Sequence, residues 1–400
     1  MSTQIKQTLV MTRVNFSTLP RRVAISLSMV LSIALVVAVL AGFLAMANGF
    51  EKALSSAGSP LVAVVLGGGT NQETGSDIPA DAIRSIQSLN GDIGVARDGS
   101  GNLLASRELV APVEVVGTQG LSSATLAFRG MDVSGLAIRD GIKIAAGRLF
   151  APGTREIVVG ARLATDFPGF GIGDTVRLGT VDWKVVGHFA ANGSAFESEI
   201  WGDVDAVRAA FNRQGQVQSL RLRLIEPSSI AVLRASLATV TPTPLVAVSE
   251  ADLYAAQSGR TANLIRLFGW PLALLMAIGA TAGALNTMMS SVSDRTIEIA
   301  TVRALGFGRL SACLATWFEA VALAVAGAIL GVIASWLIFN GWQASTVGAN
   351  EASMGFRLSV DRDVMLTAGL LGLAIGVIGG ALPAIAATRL PLMVALRARG

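Results

Sequence analysis

Four apolar runs dictate what this 400-residue chain can fold into. Residues 23–47, 267–289, 314–339 and 364–388 hold a single charged side chain among them, Glu319. Each is long enough to cross about 30 Å of hydrocarbon as a helix. Lipid offers the backbone no hydrogen-bond partner, so each run is expected to be a transmembrane helix. Between the first two lies a stretch, 48–263, with the composition of a soluble domain. The fold class that follows is a membrane protein with four transmembrane α-helices and a large extracytoplasmic α+β domain inserted between the first and second. Only 14% of residues are charged, against about 25% in an ordinary soluble chain. The positives are scattered or flank the apolar runs, so membrane topology accounts for them better than nucleic-acid binding.

Residues 1–22 carry Lys6, Arg13, Arg21 and Arg22 and no acid, which sets this segment in the cytoplasm. Ala45-Met46-Ala47 resembles a signal-peptidase site. The preceding run is about twice the length of a signal-peptide core, so an uncleaved anchor is expected. Four crossings then give a transmembrane helix at 23–47, the outer domain at 48–263 and a second span at 267–289. A cytoplasmic loop follows at 290–312, a third span at 314–339, an outer loop at 340–363, a fourth span at 364–388 and a cytoplasmic tail at 389–400. The inner segments hold Arg295, Arg303, Arg309, Arg389, Arg397 and Arg399, while the outer loop sets Arg357 and Arg362 against Glu351, Asp361 and Asp363. Both termini are thus expected in the cytoplasm.

About 215 residues in the outer domain can bury a proper core, in two lobes. Alternation and turn residues predict strands at 61–66, 109–116, 124–129, 156–160, 175–178, 183–189 and 219–224. Helices are expected at 78–89, 203–211 and 229–238. A further helix, 250–266, runs without a breaker toward the second span and reads either as a stalk or as an ordinary juxtamembrane helix. Gly279 and Gly283, Gly327 and Gly331, and Gly372, Gly376 and Gly380 recur at four-residue spacing in spans two to four. That spacing stacks them on one helix face, where backbones can approach closely, within or between subunits.

The cytoplasmic loop carries the most informative segment, Ser293 to Gly308. Ser293 or Asp294 would cap a short helix, and Gly306 suits the left-handed turn that ends one. Stepping about 100° per residue puts Ile297, Ala300, Thr301, Ala304 and Leu305 on one side. Arg295, Glu298, Ile299, Val302 and Arg303 fall on the other. The pattern alone admits a helix offered to a partner or one resting on lipid headgroups.

The run Glu298-Ile299-Ala300-Thr301-Val302-Arg303-Ala304-Leu305-Gly306, with the Glu-bearing span behind it and Gly327 and Gly331 beyond, resembles the permease subunits of the MacB/FtsX/LolC group of ABC transporters. Ala300 stands where that group usually has Gly, and Phe307 where it has a small residue. Looser matches are Arg129-Gly130-Met131-Asp132, Gly147-Arg148-Leu149-Phe150 and Arg155 to Gly160 in the outer domain, and Pro383 to Arg397 at the end. The resemblance implies that the 293–308 segment is a coupling helix on which a cytoplasmic ABC ATPase docks. Arg295, Glu298, Ile299, Val302, Arg303, Leu305 and Gly306 are its expected contact residues. It also implies a second permease copy or a related permease, a periplasmic adaptor or chaperone, membrane lipid, and the bacterial inner membrane.

No G-x-x-x-x-G-K-[ST] occurs in these residues, so ATP and Mg are expected on a partner subunit, with no cofactor, metal or catalytic residue here. Cys313 is the sole cysteine and His188 the sole histidine, which leaves no disulfide framework and makes a structural histidine the expectation. Glu197 and Glu199 sit in an Asn/Gly/Ser-rich stretch and are expected to be solvated, though a glycosidase-like pair stays open. Glu319, inside a span, should face protein or reach the inner interface, packing helices or touching the coupling segment. The function implied is ATP-driven export or extraction of a lipoprotein, amphiphile, peptide or lipid-like substrate. Two alternatives stay open: an FtsX-like regulator that activates an external cell-wall hydrolase, and a membrane-anchored ectodomain enzyme.

Overall fold

The computed structural model describes residues 3–70, 72–89, 91–116, 123–240, 244–347 and 353–389. The expected tail motif around Pro391, with Arg397 and Arg399, lies outside them. Two compact units emerge, one of 1–48, 263–342 and 358–400, the other of 49–262 and 343–357.

The first unit is helical. α1 spans Thr3–Thr18 and leads through a 3₁₀ turn at Leu19–Arg22 into α2, Val23–Ser55. α8 covers Glu250–Asp294, α9 Thr296–Ala304, α10 Arg309–Phe339 and α11 Arg362–Arg389, the labels α3 to α7 belonging to the second unit. Among the described residues, α2, α8, α10 and α11 are the four helices long and apolar enough to cross a membrane. Their shared core joins Ile33, Val37 and Leu40 of α2 to Ala273, Ala277 and Ala284 of α8, Ala320, Ala324 and Ala328 of α10, and Ala368 and Ile375 of α11. So many alanines bring backbones together, and the glycines bring them closer. A Cβ on Gly327 or Gly331 would meet the Val30 or Ala34 carbonyl of α2 at 2.8 or 2.7 Å. On Gly376 it would lie 2.0 Å from Ala324, on Gly380 2.4 Å from Ala320, and on Gly372 2.6 Å from Val37. Gly279 and Gly283 differ, because nothing among the described residues lies within 4 Å of a Cβ built on either, their own helix backbone aside.

The second unit is an α+β domain on one ten-stranded mixed sheet, ordered β10-β1-β9-β2-β3-β8-β5-β7-β4, with β6 paired to β7. In chain order the strands are β1 Val62–Gly67, β2 Ala105–Val116, β3 Ser123–Met131, β4 Lys143–Gly147, β5 Glu156–Gly160, β6 Thr175–Leu178, β7 Val181–Ala190, β8 Glu199–Asp203, β9 Ser219–Arg223 and β10 Leu245–Ser249. The helices are α3 Ala80–Gln87, α4 Ser134–Ile138, α5 Ala161–Asp166, α6 Val204–Ala210 and α7 Ile230–Val240. Among the described residues, two large cores serve the one sheet. Leu220 and Leu222 of β9 pack with Ile83 and Ile86 of α3 and Leu233 of α7, whereas Leu109, Phe128, Ile157, Trp183, Ile200 and Val207 form the second.

Three expectations need correction here. The stretch holding Glu199 is strand β8, and Glu199 is buried rather than solvated, bonded to the Arg129 guanidinium through two contacts of 2.8 Å. Glu197, half-buried, accepts from the backbone N–H groups of Ala191 and Gly193 and so ties down the turn before it. The 340–363 stretch, expected to be a loop, contains a β-hairpin, β11 Gln343–Val347 and β12 Ser353–Arg357, that belongs to the α+β unit. Its Phe356 packs edge-on against Phe50 at 5.5 Å, and the Gly355 N–H donates to Ser198 Oγ.

Alternation along the strands explains a feature that patterning did not reveal. Residues of the opposite phase from Leu109, Phe128, Ile200 and Leu220 are Glu108, Arg129, Glu199 and Arg221, and all four are buried. They meet Glu73, Arg139 and the first turns of α8. Arg221 bonds Glu108 at 2.8 Å, Glu73 at 2.7 Å, Tyr254 Oη at 3.2 Å and the carboxylate of Glu250. Arg129 reaches Glu73 at 3.1 Å and Glu108 at 3.0 Å, and Arg139 reaches Glu108 at 2.7 Å. Burial alone would raise the Glu108 carboxyl, but the three guanidiniums overcome it and hold the group at about 2. Glu73 is likewise held well below the usual carboxylate range, its burial outweighed by Arg129 and Arg221.

Candidate functional site

Helix α8 does not end where its apolar run ends; it continues to Asp294. The chain breaks at Arg295, which occupies the N-cap position of α9, so neither Ser293 nor Asp294 caps it. α9 closes at Ala304, and Gly306 takes a left-handed φ of +99°, as its position in the sequence implies. α10 then starts at Arg309, earlier than its apolar core requires. The segment between the two long helices is therefore one short helix with almost no slack at either end.

Arg295 determines which way that helix faces. Its guanidinium donates to Glu319 Oε2 at 3.1 Å, to Asn15 Oδ1 at 2.6 Å and to Glu298 Oε2 at 3.2 Å. Glu319 is buried inside α10, and its other oxygen lies 3.7 Å from Arg22. Arg22 in turn donates to Thr18 Oγ1 at 3.0 Å and to Ser291 Oγ. One carboxylate thus bridges two arginines, one from the turn before α2 and one from the start of α9. The buried Glu319 therefore faces protein and contacts the first residue before α9. At these separations and partial burial the attraction is several kcal/mol per pair before desolvation is subtracted.

Because Arg295 turns inward, the faces of α9 are the reverse of the simplest reading of its charges. Arg295, Ile299, Ala300 and Arg303 are buried and Val302 is half-buried. Ile299 joins Met11, Val292, Ala312, Ala315 and Ala387 in a small core. Exposed are Ile297, Thr301, Ala304, Gly306, Glu298 at 62% of its side chain and Leu305 at 76%. Of the seven expected contact residues, Glu298, Leu305 and Gly306 face outward.

Sequence reasoning missed α1 altogether. It lies against α9 and α10 and is fastened to α9 at both ends. Asn15 holds Arg295 at the start. At the far end Gln7 Nε2 donates to the Gly306 carbonyl at 3.3 Å, and the Gly308 N–H donates to Gln7 Oε1 at 3.2 Å. The available signal is faint: Gln7 and Asn15 are two of three amide side chains in a segment that also carries several Ser and Thr residues. Elsewhere, His188 donates through Nε2–H to the Phe170 carbonyl at 2.7 Å, a structural contact. Cys313 is half-buried within α10.

These elements define a class: a chain with four helices long and apolar enough to cross a membrane among its described residues, two of them joined by one short helix. Comparison with known families agrees in both units. The MacB-like periplasmic core domain matches residues 26–240, and the FtsX-like permease C-terminal matches residues 271–392. The chain belongs to the MacB/FtsX-like family of ABC transporter permeases. A relative from Bordetella avium, a macrolide export ATP-binding/permease protein MacB, is 25% identical over 82% of this chain and 54% of its own length. A protein of the same name from Bdellovibrio bacteriovorus is 25% identical over 92% of this chain and 58% of its own. The chain spans about half the length of these curated relatives. Among solved structures, the periplasmic region of MacB from Actinobacillus actinomycetemcomitans aligns with 50% of this chain and 92% of its own, at 13% identity and a TM-score of 0.35.

Proposed function

We propose that this chain is the membrane subunit of an ABC-type complex in which α9 receives ATP-driven motion from a cytoplasmic ATPase carried on another polypeptide. The observation that carries the reading is the Arg22–Glu319–Arg295 bridge. It binds α9 to α10 and to the entry of α2, so a push on α9 cannot be absorbed by a slack loop. α8 is one helix from Glu250 to Asp294, and its first residues, Glu250 and Tyr254, contact Arg221 in the buried charge cluster of the α+β domain. In this reading α8 is the element that carries the motion toward that domain. The substrate class is a lipoprotein, amphiphile, peptide or lipid-like molecule taken from the outer leaflet or the periplasm of a bacterial inner membrane. Spans built on alanine and glycine hold no polar path for it through the bilayer centre.

In this reading both termini and α9 are cytoplasmic. The packing of the 343–357 hairpin with residues of 49–262 supports it, since it requires both segments on one side. A second permease copy packs on α8, where Gly279 and Gly283 have open space above them. A periplasmic adaptor or chaperone completes the assembly on the outer side.

The contact residues for the ATPase are drawn from those that α9 and the turn after it expose: Ile297, Glu298, Thr301, Leu305 and Gly306. Glu298→Lys and Leu305→Asp should each abolish recovery of the ATPase with the tagged permease while membrane insertion is unchanged. Full recovery with both variants would remove the docking assignment.

A further inference from the structure

Between α1 and α9 runs an apolar groove of about 120 Å³, walled by Val10 and Val14 on one side and by Ile299, Val302, Leu305 and Phe307 on the other. We infer that the ATPase docks on a composite surface, with α1 as its second wall, and that this groove seats one apolar side chain of the ATPase. The inference rests on the coupling role proposed for α9 and extends it to a helix that neither the family matches nor the coupling motif includes, since the matched residues begin at 26.

Three observations converge. α1 moves with α9, because Gln7 grips the Gly306–Gly308 turn and Asn15 grips Arg295. Any partner pushing on α9 pushes on α1 as well. Val10 and Val14, one helical turn apart, remain 52% and 46% exposed although they line the groove. Met11 and Asn15, one residue further on, supply the buried contacts. Finally, the groove opens onto the exposed face of α9: Leu305 and Glu298 line it and also belong to that face.

The lining also selects the occupant. Arg295, Glu298 and Asn15 share the groove with the aliphatic side chains. A lipid chain there would lie against the Glu298 carboxylate, which is 62% exposed and which hydrocarbon cannot solvate. A protein side chain fits better, because the backbone that carries it can bond the polar rim while its apolar end fills the space. The volume suits one leucine- or phenylalanine-sized group, the kind of single buried anchor on which interfaces concentrate their energy. Ile5, Leu9 and Phe16 occupy a different side of α1 from Val10 and Val14, with Lys6 and Arg13 between the two stripes. Leu9, 59% exposed, is therefore the internal control.

The test places a photoreactive amino acid at Val10, Val14, Leu9, Glu298 or Leu305 of the full chain in membranes, with candidate ABC ATPases of the same genome co-expressed one at a time. Adducts are identified by mass spectrometry of peptides bearing the nucleotide-binding G-x-x-x-x-G-K-[ST] sequence. Probes at Val10 and Val14 should yield ATPase adducts, as those at Glu298 and Leu305 do, and the Leu9 probe should not. Val10→Asp and Val14→Asp should lower ATPase recovery by about tenfold or more, and Leu9→Asp by less than about twofold. ATPase adducts at Glu298 and Leu305 with none at Val10 or Val14 would overturn the composite surface and leave α9 docking intact. Lipid adducts alone at Val10 would do the same. Adducts with no ATPase from any of the five positions would remove both.

Discussion

Replacing Glu319 by glutamine deletes the buried anion that Arg22 and Arg295 share, while keeping the shape of the side chain and its ability to accept a hydrogen bond. Glu319 is 2% exposed, and its two oxygens lie 3.1 Å from Arg295 and 3.7 Å from Arg22. Removing one member of a buried pair generally costs about 3–5 kcal/mol, because the remaining charge stays buried without a counterion. Here two cations are left, which argues for a large effect. Arg22 is 14% exposed, however, and Arg295 retains Asn15 and the solvated Glu298. Those remaining contacts pull the expected loss to the lower end, about 3 kcal/mol.

The measurement is unfolding of the full chain in mixed micelles against denaturing detergent, followed by tryptophan fluorescence. Trp317 lies two residues from Glu319 and donates to the Val377 carbonyl at 3.2 Å, so it reports on this end of α10. Arg295→Met alone should cost less than Glu319→Gln, since Glu319 keeps Arg22. The double variant should fall short of the sum of the two by about 1 kcal/mol or more, the signature of groups that act on each other. If Glu319→Gln costs less than about 1 kcal/mol and the pair is additive within about 0.5 kcal/mol, the bridge is not a coupled unit. The mechanical argument built on it then fails.

Two further outcomes follow from the packing and the charges. Glu108 and Glu73 titrate lower in the folded domain than in the unfolded chain, so the stability they add is complete above about pH 4.5 and is lost as pH falls through the folded value, about 2 for Glu108. Denaturation midpoints read between pH 6 and 2.5 should therefore decline below pH 4.5, and an unchanged midpoint would contradict the assignment of both carboxylates as ionised and paired. Gly376→Leu should destabilise the folded chain by about 1–3 kcal/mol through collision with Ala324, whereas Gly279→Leu should leave the monomer's stability unchanged and lower the fraction of permease cross-linked as a dimer. Equal thermal loss in both variants would show that Gly279 packs within one chain.

The sequence made the spans and most strands legible, because each is written in a single local quantity, either a long run without charge or an alternation of period two. β5 and β6 fall at the residues the pattern predicts, and Gly306 ends its helix as a glycine there should. What stayed hidden has one physical source in both units: a charged side chain was read as a solvent-facing one. The composition around Glu199 implies a solvated loop, although pairing with β3 and the Arg129 guanidinium make it a buried strand residue. The charge of Arg295 implies a contact for a partner, although Glu319, 24 residues on, draws it inside. α1 escaped notice because its holding contacts are made through Gln7 and Asn15 to residues about 280 to 300 positions away. With only 14% of the chain charged, solvation of the surface leaves few charges to spare. The ionised residues that fall inside predicted elements here are therefore best matched first to one another. Glu108, Arg129 and Arg221, each in the phase opposite to its strand's apolar residues, would have been found that way. Glu319 with the arginines that flank its neighbouring spans would have been found as well. That matching also explains why the same residues carry the mechanical reading: a bond between buried opposite charges is the kind of link that resists being slackened by water, and this chain places one at each end of the proposed path, Arg295 with Glu319 beside α9 and Arg221 with Glu250 at the head of α8.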